Sequence, residues 1–197
     1  MAYIFVHLAS ADADVRRIES AVTGALGDAG RTLLSGVDDH ILEGALTPGR
    51  AWLVACEDGA AAATAAAGLE QAVSAAVPGA ADDAGGFALL IEGNGAAISP
   101  AETAFLVANH TITDAGRFAP YAADVGRVTA LFGGRFLARA GRTERIFGAI
   151  ETGRTIILAF ADRARAMQFY ESPEYAPLLE LRLATSRPTL ILAGAGD

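Results

Sequence analysis

ILEGALTPGRAWLVACED (41–58) lies over RIFGAIETGRTIILAFAD (145–162) at a constant offset of 104 residues. The overlay matches Gly44 with Gly148, Ala45 with Ala149, Gly49 with Gly153, Arg50 with Arg154, Ala55 with Ala159 and Asp58 with Asp162. Upstream, Gly30-Arg31 falls on Gly134-Arg135 at the same offset. AYIFVHLASAD (2–12) falls on AFLVANHTITD (104–114) at an offset of 102, which places a two-residue indel in the first helix. FALLIEG (87–93) resembles TLILAG (189–194). Four blocks in the same order divide the chain into 1–93 and 103–197, joined by the polar, Gly- and Pro-punctuated NGAAISPAE (94–102).

Each half reads as β-α-β-β-α-β. Residues 3–8 and 105–112 are strand-like, with Asp12 and Thr113-Asp114 placed to cap the helices that follow. Those helices run to about Gly27 and Leu131, and Gly30-Arg31 and Gly133-Gly134-Arg135 open the second strands. The stretches 37–46 and 141–150 read as bent extensions or hairpins of those strands. AWLVAC (51–56) and TIILAF (155–160) are apolar throughout, as a strand covered on both faces must be. Helices are expected at 58–76 and 162–171, with a short extra helix at about 174–184, before a last strand closes each unit. Such a unit is ferredoxin-like: four antiparallel strands with helices on one face. The other sheet face is bare and apolar, and a second copy on the same chain meets it at high effective concentration. The expected fold is α+β: two ferredoxin-like βαββαβ repeats packed sheet to sheet, a barrel with the helices outside.

Composition agrees with a folded domain. The chain has 197 residues, of which 52% are hydrophobic, enough for a core and too many for global disorder. No stretch is long, apolar and uncharged enough to span a bilayer, and the N-terminus lacks a basic leader, so a cytoplasmic protein is expected. A lone Cys56 permits no internal disulfide. All 15 basic residues are Arg, and many Ala and Gly with no Lys fit a GC-rich bacterial coding sequence. The net charge of −8 argues against nucleic-acid or anionic-membrane partners. Residues 1–98 hold 4 Arg and 13 acids, whereas residues 99–197 hold 11 Arg and 10 acids, so the second half is the place to seek an anionic ligand.

The second half also resembles a known family over about residues 103–194. The carriers are Thr113-Asp114, Phe118 and Tyr121, GGRFLARAG (133–141), Arg154 with the strand to Phe160, and above all FYESPEYAPLLELR (169–182). Together they resemble the bacterial domain of unknown function thirteen-thirty family, within the dimeric α+β barrel superfamily. Phe147 departs from the pattern, where such sequences usually have Glu before the Gly. The first half reads as a degenerate copy: it keeps Gly30-Arg31, Glu43-Gly44, Gly49 and Arg50, and carries AAAGLEQAVSAAV in place of the Tyr-x-Ser-Pro-Glu-Tyr block. Each half lacks what the other retains, as when a two-site dimer is fused into a chain with one elaborated site, or as when selection relaxes on a structural half. The superfamily includes cofactor-free monooxygenases, lactone isomerases, polyketide cyclases and haem enzymes, so the resemblance implies a cavity between sheet and helices without choosing a reaction.

The candidate residues each carry two readings. Arg135, Arg139, Arg142 and Arg145 line the second strand, and either present guanidinium forks to an anion, Arg135 or Arg139 foremost, or edge a solvated sheet. Arg182 is a ligand contact or the partner of Glu174 or Glu180. His110 is a proton acceptor or a hydrogen-bonded strand end. His7 falls opposite Asn109 and His110 opposite Leu8, so the two histidines face different sides of their sheets. Asp114 reads as a helix cap. Tyr121, Tyr170 and Tyr175 donate to a developing oxyanion or simply pack. Ser172 and His7 are further binding candidates, and Glu43 completes the site from across the pseudo-dimer. His7, His40 and His110 show no paired metal-ligand spacing, and there is no phosphate loop or G-x-S-x-G elbow. The combined expectation is a cofactor-independent enzyme performing proton-transfer chemistry (cyclisation, isomerisation or elimination) on a small anionic or carbonyl-bearing metabolite of a specialised biosynthetic or catabolic pathway. The alternatives are a non-catalytic small-molecule-binding or scaffold protein and a cofactor-free monooxygenase. As an assembly, a pseudo-dimer within one chain, monomeric or weakly dimeric, is expected.

Overall fold

The computed structural model describes residues 1–9, 13–76 and 86–194, with only the backbone described at 13–15. In the first half β1 (Ala2–Ala9), α1 (Ala13–Leu26), β2 (Arg31–Glu43), β3 (Gly49–Cys56), α2 (Gly59–Ala76) and β4 (Gly86–Glu92) follow one another. In the second half come β5 (Ala104–Ile112), α3 (Ala115–Leu131), β6 (Arg135–Arg139), β7 (Thr143–Gly148), β8 (Arg154–Phe160), α4 (Arg163–Tyr170), α5 (Ala176–Thr185) and β9 (Ser186–Gly194). The strand order is β6-β8-β5-β9-β2-β3-β1-β4-β7, antiparallel throughout. Each half therefore has the ferredoxin-like order, with its first and third strands side by side in the middle.

The two ends of that order, β6 and β7, are consecutive in the chain. They are two arms of one strand bent at Ala140, which sits at φ 60. The sheet thus curls round to its own start as an α+β barrel. β2 bends likewise, through register shifts between Thr32 and Val37. Its first arm pairs with β3, and its second arm crosses to the other half, where Asp39, His40, Ile41 and Glu43 pair with β9. β7 crosses the opposite way, and Phe147 pairs with Ala88 of β4. These are the extensions expected at 37–46 and 141–150, and they stitch the halves together at two seams.

The period-two pattern of the strands sorts side chains into three layers. Tyr3, Phe5, Leu53, Leu89, Ile91, Phe105, Val107, Leu137, Ile157 and Ile191 fill the barrel interior from both halves. Ile4, Val6, Leu8, Trp52 and Val54 face outward onto Ile18, Val22, Leu69 and Val73 of α1 and α2. Leu106, Ala108, Leu158 and Leu192 face outward onto Phe118, Val125, Phe169 and Leu178 of α3 to α5. Burying each such large side chain contributes roughly 1.5–3 kcal/mol relative to exposure. The interior holds a packed core.

The matched residues of the repeat have backbone reasons. A Cβ on Gly49 would stand 1.9 Å from the Leu8 carbonyl oxygen, and one on Gly153 would stand 2.3 Å from that of His110. Both are places where neighbouring strands leave no room for a side chain. Asp58 and Asp162 accept backbone N–H bonds in the first turns of α2 and α4, the former from Ala60 and Ala61 and the latter from Arg165. Asp114 caps α3 through the Arg117 amide, as expected. Asp12, expected to cap α1, lies outside the described residues.

The linker is packed against the barrel. Ala96 and Ile98 lie on the interior cluster. Asn94 donates to Phe136 O and, through its backbone, to Leu137 O. The equivalent arginines at the starts of β2 and β6 hold it from two sides: Arg31 donates to Ile98 O and Arg135 to Ala97 O. Among the described residues no helix is long and apolar enough to cross a membrane.

Candidate functional site

β5 presents alternate residues to the two sides of the barrel wall. Phe105, Val107 and Asn109 point inward, and Ala104, Leu106, Ala108 and then His110 face the helices. His110 is thus the polar end of an otherwise apolar row, and it is 1% exposed. α3 brings Phe118, Tyr121 and Val125 over this row, spaced three and four residues apart as one helix face requires. α5 brings Leu178, Arg182 and Thr185 at a similar helical spacing. The corner between α4 and α5 delivers Tyr175. Ser172 donates to Phe169 O and accepts from the Tyr175 amide there, so its hydroxyl is spent on turning the chain.

These elements enclose a cavity of about 20 Å³ lined by His110, Tyr121, Tyr175 and Arg182 among Leu106, Val125, Phe136, Ile156, Phe169 and Leu190. That is room for about one water or one small reacting group. Arg182 is 1% exposed, and a buried guanidinium needs a carboxylate. The carboxylate comes from the first half. Glu43, at the end of the crossing arm of β2, accepts from Arg182 Nη1 at 2.7 Å and also from Nη2. Tyr170 donates to the same carboxylate at 2.8 Å. Arg182 had been expected either to meet a ligand or to pair with Glu174 or Glu180; its partner is Glu43, which the bend of β2 carries there.

The electrostatics favour donors. Burial, with Arg182 and Arg154 nearby, lowers the His110 pKa to about 3, so the imidazole is neutral. Neither His110 nitrogen has a hydrogen-bond partner. Burial, with Tyr175 alongside, raises the pKa of Tyr121, and burial raises that of Tyr175. Tyr170 is raised by burial and by its bond to Glu43. All three hydroxyls therefore keep their protons. Burial works against the charge on Arg182, but Glu43 and the two tyrosines outweigh it and hold the guanidinium more firmly protonated than usual. The site combines a neutral base, hydroxyl donors and a fixed cation in a place nearly free of solvent, an arrangement able to accept a proton and to stabilise a developing oxyanion.

Six of the ten sequence candidates thus converge: His110, Tyr121, Tyr170, Tyr175, Arg182 and Glu43. The other four lie elsewhere. Arg135, one of the two foremost anion candidates, is bound to Glu102 and Ala97 O at the linker. Arg139, the other, is exposed, donates to Ala122 O and lies with its guanidinium carbon 4.5 Å from the centre of the Phe136 ring. Ser172 serves the corner. His7 points into the barrel end, where its Nδ1 lies 2.6 Å from Asp39 Oδ2, and Asp39 Oδ1 accepts from the Gly49 amide. Asn109 occupies the equivalent inward place and accepts from the Gly153 amide, so the expected mismatch of His7 and His110 is present. Sequence reasoning gave no site role to Arg154, although it is the cross-strand partner of His110; the register of β5 against β8 was the available signal. Among the described residues no group of three or more His, Cys, Asp or Glu is placed to hold a metal ion.

Comparison with known proteins finds a family model that matches part of the chain. No curated protein sequence matches it. A "putative monooxygenase" from Lactobacillus acidophilus NCFM is similar in structure at 10% identity and a TM-score of 0.47, covering 99% of this chain and 96% of the other. An "anthrone oxidase-like protein" is similar at 10% identity and a TM-score of 0.49, covering 100% and 93%. Residues 103–195 match the model of the family described as "Domain of unknown function (DUF1330)". Every side chain of the site except Glu43 lies within the stretch that matches this family.

Proposed function

We propose that the cavity under α3 and α5 is the active site of an enzyme that works without a resident cofactor and moves a proton on a small anionic or carbonyl-bearing molecule. The observation that carries this reading is His110: a neutral imidazole, sealed from solvent, with both nitrogens unpartnered beside Arg182 and two tyrosine hydroxyls. Leaving a buried polar group unpaired costs about 1–3 kcal/mol, and such a cost is a common mark of a site meant for a ligand.

In the proposed step the unprotonated ring nitrogen of His110 takes a proton from a carbon next to a carbonyl. The C–H bond breaks, an N–H bond forms, and the electron pair moves to the carbonyl oxygen as an enolate. Arg182 and the Tyr121 and Tyr175 hydroxyls supply positive charge and donors for that oxygen. The imidazolium then returns the proton to a different carbon in an isomerisation, to an oxygen leaving group in an elimination, or to the product oxygen after ring closure. Glu43 and Tyr170 hold Arg182 in place and do not touch the reacting atoms.

The test is solvent exchange. Small ketones, oxo acids and lactones in D₂O should gain deuterium at the acidic carbon faster with the protein than without it. His110→Gln should abolish the gain and Tyr121→Phe should reduce it. No exchange across the panel, with no ligand perturbing the His110 imidazole, overturns the reading. The small size of the closed cavity favours a second reading, a non-catalytic binding protein, which predicts perturbation of His110 without exchange. Oxygen uptake with any of the panel would favour cofactor-free oxygenation.

A further inference from the structure

Arg50 and Arg154 are matched residues of the two halves, yet their surroundings differ. Arg50 is fully occupied: its Nε donates to Gly36 O at 2.7 Å, its Nη2 donates to the same oxygen, and Glu19 lies 3.4 Å from Nη1. In the second half Ala140 stands in the place that matches Gly36. Arg154 is left with the face of Phe118, 5.9 Å from its guanidinium carbon, and its buried Nε has no hydrogen-bond partner.

The neighbours of Arg154 share that condition. Among the described residues, five buried side-chain polar atoms lack a partner, and four of them are His110 Nδ1 and Nε2, Arg154 Nε and Arg182 Nε. His110 pairs with Arg154 across β5 and β8, and Arg182 and Arg154 both act electrostatically on its ring. Glu43 neutralises Arg182. Among the described residues no acidic side chain pairs with Arg154, so its positive charge stands without a counter-ion beside His110.

We infer that Arg154 and His110 seat the carboxylate of a small monocarboxylic acid at the mouth of this site. The inference rests on the proposed reading of the cavity as a ligand site and adds the ligand's charged group. A single uncompensated charge balances one negative charge, and the Nε edge of a guanidinium suits a planar two-oxygen acceptor. The second oxygen meets His110, whose ring can present an N–H. The cavity of about 20 Å³ accepts a remainder no larger than a methyl group.

The experiment follows the His110 imidazole nitrogens by NMR while acetate, acetamide, inorganic phosphate and chloride are titrated into the wild-type protein and into Arg154→Gln and Arg50→Gln. Acetate is expected to perturb His110 saturably and to raise the melting temperature. Acetamide, the neutral isostere, is expected to bind about tenfold or more weakly, and Arg154→Gln to weaken acetate by a similar factor. Arg50→Gln, a fold control outside the site, should bind acetate like the wild type. Acetamide binding as well as acetate, phosphate or chloride binding better than acetate, or Arg154→Gln binding acetate undiminished, each overturns the carboxylate seat while leaving the cavity as a ligand site. If acetate, acetamide and small neutral ketones all leave His110 unperturbed, the seat and the underlying reading fall together. The acetate–acetamide comparison uses only the wild-type protein, so it decides the matter even where a variant folds poorly.

Discussion

The two helix-covered faces of the barrel wall have the same strands behind them and opposite contents. On the first, Leu8, Trp52 and Phe147 join the apolar layer under α1 and α2, and the Trp52 indole N–H is spent on Thr23 Oγ1. On the second, the equivalent places hold His110, Ile156 and Glu43, and a small cavity results in which four polar side chains stand in an apolar lining. Ile156 is smaller than Trp52 and leaves space; His110 and Glu43 supply chemistry where Leu8 and Phe147 supply packing. The comparison also explains the exchange of Glu43 and Phe147 between the halves. Because β2 and β7 cross, each of these residues completes the face of the opposite half. Phe147 seals the filled face; Glu43, carried by the half without the Tyr-x-Ser-Pro-Glu-Tyr block, serves the face that holds His110 and Arg182.

The largest expected effect comes from removing what one half lends the other. Glu43→Ala leaves Arg182 charged and buried without a counter-ion and should cost about 3–5 kcal/mol of unfolding free energy. Phe147→Leu, the matching change on the other face, should cost only about 1 kcal/mol, since an apolar residue of similar bulk remains. Replacing Glu43 and Arg182 together by Leu and Met should recover much of the first loss. Denaturant titrations of the three proteins check this, and equal losses for Glu43→Ala and Phe147→Leu would mean that the ion pair does not span the halves as described.

The next test makes the second face like the first by His110→Leu, copying Leu8. The folded pKa of His110 is about 3 against an ordinary value of 6.5. Between those values the unfolded chain binds the proton and the folded protein does not. The wild-type protein should therefore lose stability as pH falls from 6.5 toward 3, by roughly 1.4 kcal/mol per pH unit from this group, with no contribution to the slope above or below that window. His110→Leu should abolish that share of the slope and become the more stable protein under acid conditions. Unfolding free energies of both proteins at pH 7 and pH 5 decide it; parallel curves would mean that His110 titrates normally.

Much of this contrast was legible in the sequence, for a physical reason. The matched residues Gly49 with Gly153 and Asp58 with Asp162 mark close strand approaches and helix starts, which any copy of the fold must keep, so the repeat and its strand order could be read from them. The period of two along β1 and β5 sufficed to set His7 and His110 on different sides. The site itself was harder to read. Arg135 and Arg139 looked like a ligand-facing row because alternation along a strand distinguishes two faces without saying what covers either one. The linker covers Arg135, and Phe136 separates Arg139 from the cavity. Helical spacing reveals only local partners for Arg182, such as Glu174 or Glu180, whereas Glu43 arrives from 139 residues away along a strand whose bend is legible in the sequence but whose destination is not.

A smaller effect is expected at Tyr170. Its hydroxyl bonds to the Glu43 carboxylate, but the ring is only partly buried and the carboxylate keeps both bonds to Arg182. Tyr170→Phe should cost about 1 kcal/mol, below the range for a fully buried bond to a charged group. It should leave His110 ligand binding nearly intact, since Tyr170 stands behind Arg182. A loss of ligand binding as large as that from His110→Gln would move Tyr170 into the reacting site.

The smallest effect returns to a pair the two halves share. Arg31 and Arg135 are equivalent, and both hold the linker, but unequally: Arg31 donates to one carbonyl, whereas Arg135 binds Ala97 O and the Glu102 carboxylate together. Arg31 is exposed and Arg135 only partly so, and solvent screening keeps each contribution below about 1 kcal/mol. Global unfolding should scarcely register either Arg→Ala change. Local opening should, because the linker's own backbone bonds are few and it rests on Ala96 and Ile98. Arg135→Ala is expected to speed amide hydrogen exchange across 94–102 more than Arg31→Ala does, with β5 and β9 unaffected. Equal acceleration by the two would mean that the single carbonyl bond of Arg31 holds the linker as firmly as the carboxylate-anchored Arg135, and faster exchange in β5 would make the linker part of the barrel's cooperative unit rather than a strap across its end.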